Sequence, residues 1–378
     1  MMAAFTGMTL ISILSTICVF MLLSCKKKLG GRTRSFGDVG YAACGRTGHV
    51  LVEFCVVLSQ MGFCCAYLIF VGENMYKYVK PYVVKEDNVI WAIVPGISLL
   101  CWIPSLDILA PFSLFAVLLI FSGLITVAWN SMPLFGTGPD VQEYIPSTMP
   151  IFVGMAIYAF EGIGLAIPIE NSMKHPESFP FVWVLGMVIV TITYITFGAF
   201  CYSCYGDEVP SIITMVLPDD LVSFLVKLGL CIALLFTYPI AIYPVFEIVE
   251  EGWCWRFLRA PPPEVLPGHH AVSLQEGVSE NSFLWKRRLT RVVLVMITAT
   301  AAVVIPDFSI VMAFIGSVPS NIMAFVLPTL FHIFVFWKSM GFWGRLFDVT
   351  LFSCGICAVV ICTWTSMFGV NKPVGLPR

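Results

Sequence analysis

Apolar runs of about twenty residues recur along almost the whole sequence, the length needed to cross the roughly 30 Å hydrocarbon core of a bilayer as a helix, with the third run short. Ten such runs fall at residues 2–23, 48–72, 89–104, 107–130, 149–169, 179–204, 220–249, 290–306, 308–337 and 347–369. Lipid offers no hydrogen bonds, so backbone at that depth must satisfy itself, and runs of this length do so as helices. Composition agrees: 58% of the 378 residues are hydrophobic and 12% are charged, against about 25% charged in a soluble domain. Too little charge remains to solvate a globule or to build a basic nucleic-acid face, which excludes a soluble enzyme and a nucleic-acid binder. The expected fold is an all-α membrane protein, one transmembrane domain over residues 1–378 with the lipid bilayer as its surroundings.

Orientation follows from Lys and Arg, which stay on the cytoplasmic side in short loops. With the first run crossing from outside to inside, 15 of the 21 basic residues fall in cytoplasmic loops and five on the other side, with Lys227 inside a run. The split predicts ten spans with both termini non-cytoplasmic. Lys26, Lys27 and Lys28 follow the first run, the order of a stop-transfer segment and the reverse of a signal peptide. Pro104 and Ser105 separate the third and fourth runs, and 306–308 is the break between the eighth and ninth. The long stretch 251–289, with Pro261, Pro262, Pro263 and the pair His269 and His270, reads as a flexible cytoplasmic loop.

One run departs from a plain lipid-facing helix. In MPIFVGMAIYAFEGIGLAIPIE (149–170), Glu161 falls near the middle, flanked by Gly162 and Gly164, with Gly154 before and Pro168 after. A carboxyl at mid-bilayer costs about 2.5–3.5 kcal/mol on insertion scales. Glycines open backbone conformations that other residues resist, so E-G-I-G is a place for the helix to unwind. Unwound backbone at this depth persists only against protein or a water-filled cavity, and transporters use it to bind the charged ends of a substrate. The structural alternative makes Glu161 a carboxyl hydrogen-bonded between helices, beside glycines used for close packing.

Other intramembrane polar groups suggest less. Lys227, one to two turns into its run, is expected to snorkel its ammonium to the non-cytoplasmic surface. Glu53 sits at the cytoplasmic interface, and His332 reads as a packed histidine. Tyr67, Tyr238 and Tyr243 either line a pathway or pack, and Pro239 and Pro244 predict a kink in 220–249. The fourteen cysteines lie mostly in apolar runs, and the C-x-x-C pairs Cys201/Cys204 and Cys354/Cys357 read as small residues at helix contacts. No H-E-x-x-H, G-x-S-x-G, P-loop or intramembrane-protease G-x-G-D is present, so no enzyme is expected.

Four segments carry a resemblance to a known family. FEGIGLAIPIENSMKHPESFP (160–180) is similar to the sixth-helix signature, and the loop after it, of the amino acid/auxin permease family, which includes proton-coupled and vacuolar amino acid transporters. YGDEVPSIITMVLP (205–218) resembles that family's stretch between helices seven and eight. FGDVGYAACG (36–45) resembles its segment after helix two, with Phe where Tyr is usual, and AYLIFVGENM (66–75) the end of its third helix.

The resemblance implies an amino acid–polyamine–organocation type fold, in which two inverted five-helix repeats cup a substrate between broken first and sixth helices. The ten runs match family helices two to eleven, 149–337 would hold the second repeat, and the family's first helix, with its G-x-G-x-L-x-L-P stretch, has no counterpart. The implied function is secondary active transport of amino acids, neutral or small ones, driven by protons. Backbone around Phe160, Glu161, Gly162 and Gly164 would bind the amino acid, Glu161 would carry the proton, and Tyr67 and Tyr238 would line the pathway. No metal or cofactor is implied. The membrane would be vacuolar or lysosomal in type, or the plasma membrane. A truncated or non-transporting amino acid sensor of the same fold is the alternative.

Overall fold

The computed structural model describes residues 2–30, 35–81, 85–103, 110–136, 148–250, 276–305 and 307–368, and every regular element among them is helical. The first apolar run forms α1 (Met2–Leu29), whose last turn holds Lys26, Lys27 and Lys28, positive charge at the negative end of the helix dipole. Helix α2 (Phe36–Val79) comprises two helical stretches that meet at Gly45, and the first, 36–44, lies before the predicted run, so most of FGDVGYAACG is itself helical. Ser35 and Asp38 start it reciprocally: the Asp38 N–H donates to Ser35 Oγ at 3.2 Å and the Ser35 N–H to Asp38 Oδ2 at 3.0 Å, in the manner of a capping box. At Gly45 the backbone turns to φ 65°, a left-handed value that a residue without Cβ adopts at little cost.

The short apolar helix α3 (Glu86–Leu100) and helix α4 (Ala110–Ser131) follow; Pro104 and Ser105, expected to part them, lie outside the described residues. The fifth run is two helices, α5 (Met149–Ala159) and α6 (Ile163–Ser172). Helix α7 (Phe179–Tyr205) ends at Gly206, whose φ of 58° turns the chain out of the helix. Helix α8 (Leu221–Ile248) is N-capped by Asp220 and runs through Pro239 and Pro244. Helix α9 (Glu276–Val304) begins well inside the stretch read as a flexible loop over 251–289. That expectation is corrected from Glu276 onward: Arg287 and Arg291, one turn apart, donate to Glu250 at 2.6 and 2.8 Å, which anchors helix before the apolar run starts. His269, His270 and Pro261–Pro263 lie outside the described residues. The ninth run is α10 (Phe308–Ile315), two π-helical stretches (Gly316–Ser320 and Ile322–Val326) and α11 (Leu327–Phe336). Helix α12 (Phe342–Phe368) completes the order.

Among the described residues, eight helices are long and apolar enough to cross a membrane, with 87–100 a shorter apolar helix. Many carry large apolar side chains outward, such as Phe181, Leu185 and Ile192 on α7 and Leu118 and Trp129 on α4. An apolar exterior on this scale is stable in lipid and a liability in water. The protein is an all-α, multi-pass membrane protein.

The described chain divides into two compact units. The first comprises 1–59, 124–217 and 307–378, and the second 60–123 and 218–306. In the first, Leu22, Val39, Ile157, Ile163, Ile167 and Phe331 belong to one buried core. Helix α5 meets α10 there at glycine: a Cβ on Gly154 would lie 2.6 Å from Ser317 Oγ and 3.0 Å from the Ala313 carbonyl, and a Cβ on Gly316 would strike the Gly154 carbonyl. Small residues of this kind let backbones touch where lipid supplies no hydrophobic drive. In the second unit α3 packs on α8 and α9, and Arg291, 3% exposed, also donates to the Cys101 carbonyl at 2.8 Å.

Candidate functional site

The site is built by the failure of one helix. Helix α5 stops at Ala159, Phe160 through Gly162 are non-helical, and α6 resumes at Ile163. The Phe160 N–H still reaches the Ala156 carbonyl, the Glu161 N–H turns back to Tyr158 at 3.2 Å, and the Leu165 N–H tightens onto Gly162 at 3.0 Å. No side chain caps α6, whose N-cap is Gly162. The first N–H groups of a helix have no partner within it, so α6 presents donors toward the break while α5 ends in carbonyls. Pro168 adds to the loosening, since a proline lacks the N–H that would reach the Gly164 carbonyl four residues back.

Neither glycine of the break needs a left-handed backbone. Gly162 has φ −178° and Gly164 lies within α6. A Cβ on Gly162 would meet Trp183 at 3.5 Å and one on Gly164 would meet Met323 at 3.4 Å, both ordinary contacts. A methyl group at either position would sit in ordinary van der Waals contact, so neither glycine is required by a close approach.

Glu161 is held from two sides. Its Oε2 accepts from the Ser320 hydroxyl in the first π-helical stretch, and its Oε1 accepts from Ser59 Oγ of α2 at 3.4 Å. Ser59 and Ser320 are fully buried, and Ser59 also approaches Met323 Sδ at 3.8 Å. Next to Ser320, Asn321 donates to the Gly355 carbonyl at 3.3 Å and leaves its own Oδ1 buried and without a partner; Trp183 Nε1 is likewise a buried donor without an acceptor among the described residues. Ionised, the carboxylate accepts both hydroxyls; protonated, it donates once, and one of the two serine bonds must reverse or break. A proton on Glu161 therefore alters how the break is tied to α2 and to the π-helical stretch.

Of the expected residues, Phe160, Glu161, Gly162 and Gly164 come together here. The Phe160 side chain is core, 4% exposed, with its ring 5.7 Å from Tyr194, which leaves its backbone for the break. Tyr67 and Tyr238 belong to the second unit. Tyr67 is half-buried on α2, and Tyr238 is buried with its hydroxyl 2.6 Å from Thr298 Oγ1. Ser59, Ser320, Asn321 and Trp183 went unnoticed in the sequence; the visible signal was Gly316, Ser317, Pro319, Ser320 and Asn321 crowded within a 29-residue apolar run.

Two expectations are overturned by burial. Lys227 does not snorkel: it is 0% exposed, because α8 starts at Leu221 and a full turn or more of helix lies beyond it. Cys354 and Cys357 are exposed on α12 and make no helix contact of the kind expected, whereas Cys201 and Cys204 are buried. His332 is packed as expected, 4.6 Å from the Phe336 ring centroid, but it also bonds Asp348 at 2.7 Å. A groove of about 450 Å³ between α1 and α7, near Thr9, Ser12, Thr16 and Thr191, does not include Glu161.

Residues 1–370 match the family described as transmembrane amino acid transporter protein. Amino acid transporter AVT3C of Arabidopsis thaliana is 32% identical over 94% of this chain and 81% of its own length. Amino acid transporter ANT1 of the same plant is 30% identical over 98% of this chain and 86% of its own. Vacuolar amino acid transporter 4 of Saccharomyces cerevisiae is 27% identical over 98% of this chain and 53% of its own. A match spanning nearly every helix described above makes this chain a member of the transmembrane amino acid transporter family.

Proposed function

We propose that the protein is a secondary active transporter that moves neutral or small amino acids across a vacuolar-type membrane together with protons, by alternating access about the break at 160–164. The observation that carries the reading is Glu161 itself, a carboxyl between two uncapped half-helices with serine hydroxyls on both of its oxygens. The substrate ammonium would meet carbonyls at the end of α5, and its carboxylate the free N–H groups at the start of α6. Proton binding at Glu161 would reverse or break one of its two serine bonds and so favour one access state over the other. In this reading 149–337 forms the second of two inverted repeats, Tyr67 faces the pathway, and Tyr238 is held in place by Thr298. The vacuolar setting is supported by the yeast relative, which is named a vacuolar amino acid transporter.

The test is uptake into proteoliposomes. With an inward proton gradient, at least one amino acid from a panel of labelled neutral compounds should accumulate several-fold above the no-gradient control. Uptake that ignores the gradient removes the proton from the scheme. Saturable binding without movement of any compound identifies a receptor in place of a carrier.

A further inference from the structure

Lys227 is a cation buried within the second unit. It lies in the second turn of α8, fully buried, and its Nζ has no hydrogen-bond partner among the described residues. The Tyr78 ring of α2 is beside it, with Nζ 5.8 Å from the centroid, near the outer limit of a cation–π contact. The Tyr78 hydroxyl is itself buried and without a partner among the described residues, and its ring is fixed edge-on against Phe224, centroids 4.7 Å apart. Phe224 precedes Lys227 by one helical turn.

An ammonium and a phenol are thus set close together, and among the described residues neither is hydrogen-bonded to an acceptor. The neighbouring acids Asp219 and Asp220 act on the Lys227 charge through space but make their short contacts elsewhere: Asp219 pairs with Lys77, and Asp220 takes the Ser223 N–H at 2.7 Å as the N-cap of α8. A buried charge is retained most readily when it is paired and hydrogen-bonded, and among the described residues no acceptor is hydrogen-bonded to the Lys227 ammonium.

We infer that Lys227 and Tyr78 form a binding site for one small monovalent anion, a halide or a carboxylate, near the start of α8. The site lies wholly within the second unit and does not depend on the role given to Glu161. The ammonium would supply the charge and the phenol a directed hydrogen bond, while the ring and Phe224 would keep water away.

The experiment follows the thermal unfolding midpoint of the purified full chain as sodium gluconate is replaced by sodium chloride at constant ionic strength. A saturable rise in the midpoint is expected for the wild type. Lys227→Met should be more stable than wild type in gluconate, having lost an unpaired charge, and should not respond to chloride. Lys227→Arg should keep the response, and Tyr78→Phe should need about tenfold more chloride or beyond, the worth of a hydrogen bond to a charged partner. Glycine titrated alone, and then against chloride, identifies the source: competition assigns the site to the carboxylate of an amino acid, and indifference assigns it to a halide. A wild type without a saturable response, or Lys227→Met and Lys227→Arg responding alike, overturns the inference. If Lys227→Met does not fold, an unchanged chloride affinity in Tyr78→Phe overturns it equally.

Discussion

Removing Lys26 should loosen α6, and the structure sets the size of the effect. The helix is ten residues long, and the break has already taken the support that a continuous helix would give its first turn. Its other end is held from α1: Lys26 Nζ sits 2.7 Å from Glu170 Oε2 and 2.5 Å from Asn171 Oδ1. The side chains are 18% and 8% exposed, which puts the pair between two regimes. Exposed ion pairs contribute about 0–1 kcal/mol, and stripping one partner from a buried pair costs about 3–5 kcal/mol. An intermediate value of about 2 kcal/mol corresponds to roughly a thirtyfold shift in a local equilibrium. Lys26→Met should therefore raise the amide exchange rate across 163–172 by about thirtyfold in nanodiscs, since exchange there reports local opening. Glu170→Gln should have a smaller effect, because the released ammonium can reach water. In a double-mutant cycle the two changes should couple. Unchanged protection in Lys26→Met, or strictly additive effects, would refute the idea that this ion pair holds the half-helix.

Two further predictions follow from geometry. Gly154→Ala forces a Cβ to 2.6 Å from Ser317 Oγ and 3.0 Å from the Ala313 carbonyl, and should cost about 1–3 kcal/mol by overpacking; Gly162→Ala, meeting only Trp183 at 3.5 Å, should leave the unfolding midpoint nearly unchanged. Hydrogen bonds from Ser223 hold the Asp220 carboxyl below its ordinary pKa, so the cap on α8 contributes stability above the ordinary aspartate value, about 4, and loses it as pH falls through the lowered one. Unfolding midpoints measured from pH 7 down to pH 3 should show that loss in wild type and not in Asp220→Ala.

The sequence announces the spans because lipid allows so few alternatives: a run of apolar residues long enough to cross is a helix, and α1, α7, α8 and α12 lie close to their predicted limits. Local breaks were legible where several disruptive residues coincide, as at Glu161, Gly162, Gly164 and Pro168. Hydropathy is blind to polar starts. Residues 36–44 form helix through the Ser35 and Asp38 exchange, and 276–289 through Arg287 and Arg291 on Glu250, and neither signal is apolar. Tertiary partners were hidden as well. Ser59 and Ser320 lie 102 and 159 residues from Glu161, and a serine in an apolar run looks the same whether it closes on its own helix or on a distant carboxylate. Lys227 shows the same limit, because snorkelling depends on what stands between the ammonium and water.

The central claim is that the Glu161 proton is coupled to movement of the amino acid through the break, and Glu161→Gln tests it directly. Glutamine keeps the shape and an acceptor for one serine while removing the titrating proton. In proteoliposomes the variant should exchange labelled for unlabelled amino acid across the membrane at a rate within a few-fold of wild type, yet fail to accumulate it against a gradient when protons are supplied outside. Accumulation by Glu161→Gln that still follows the proton gradient as wild type does would contradict the account.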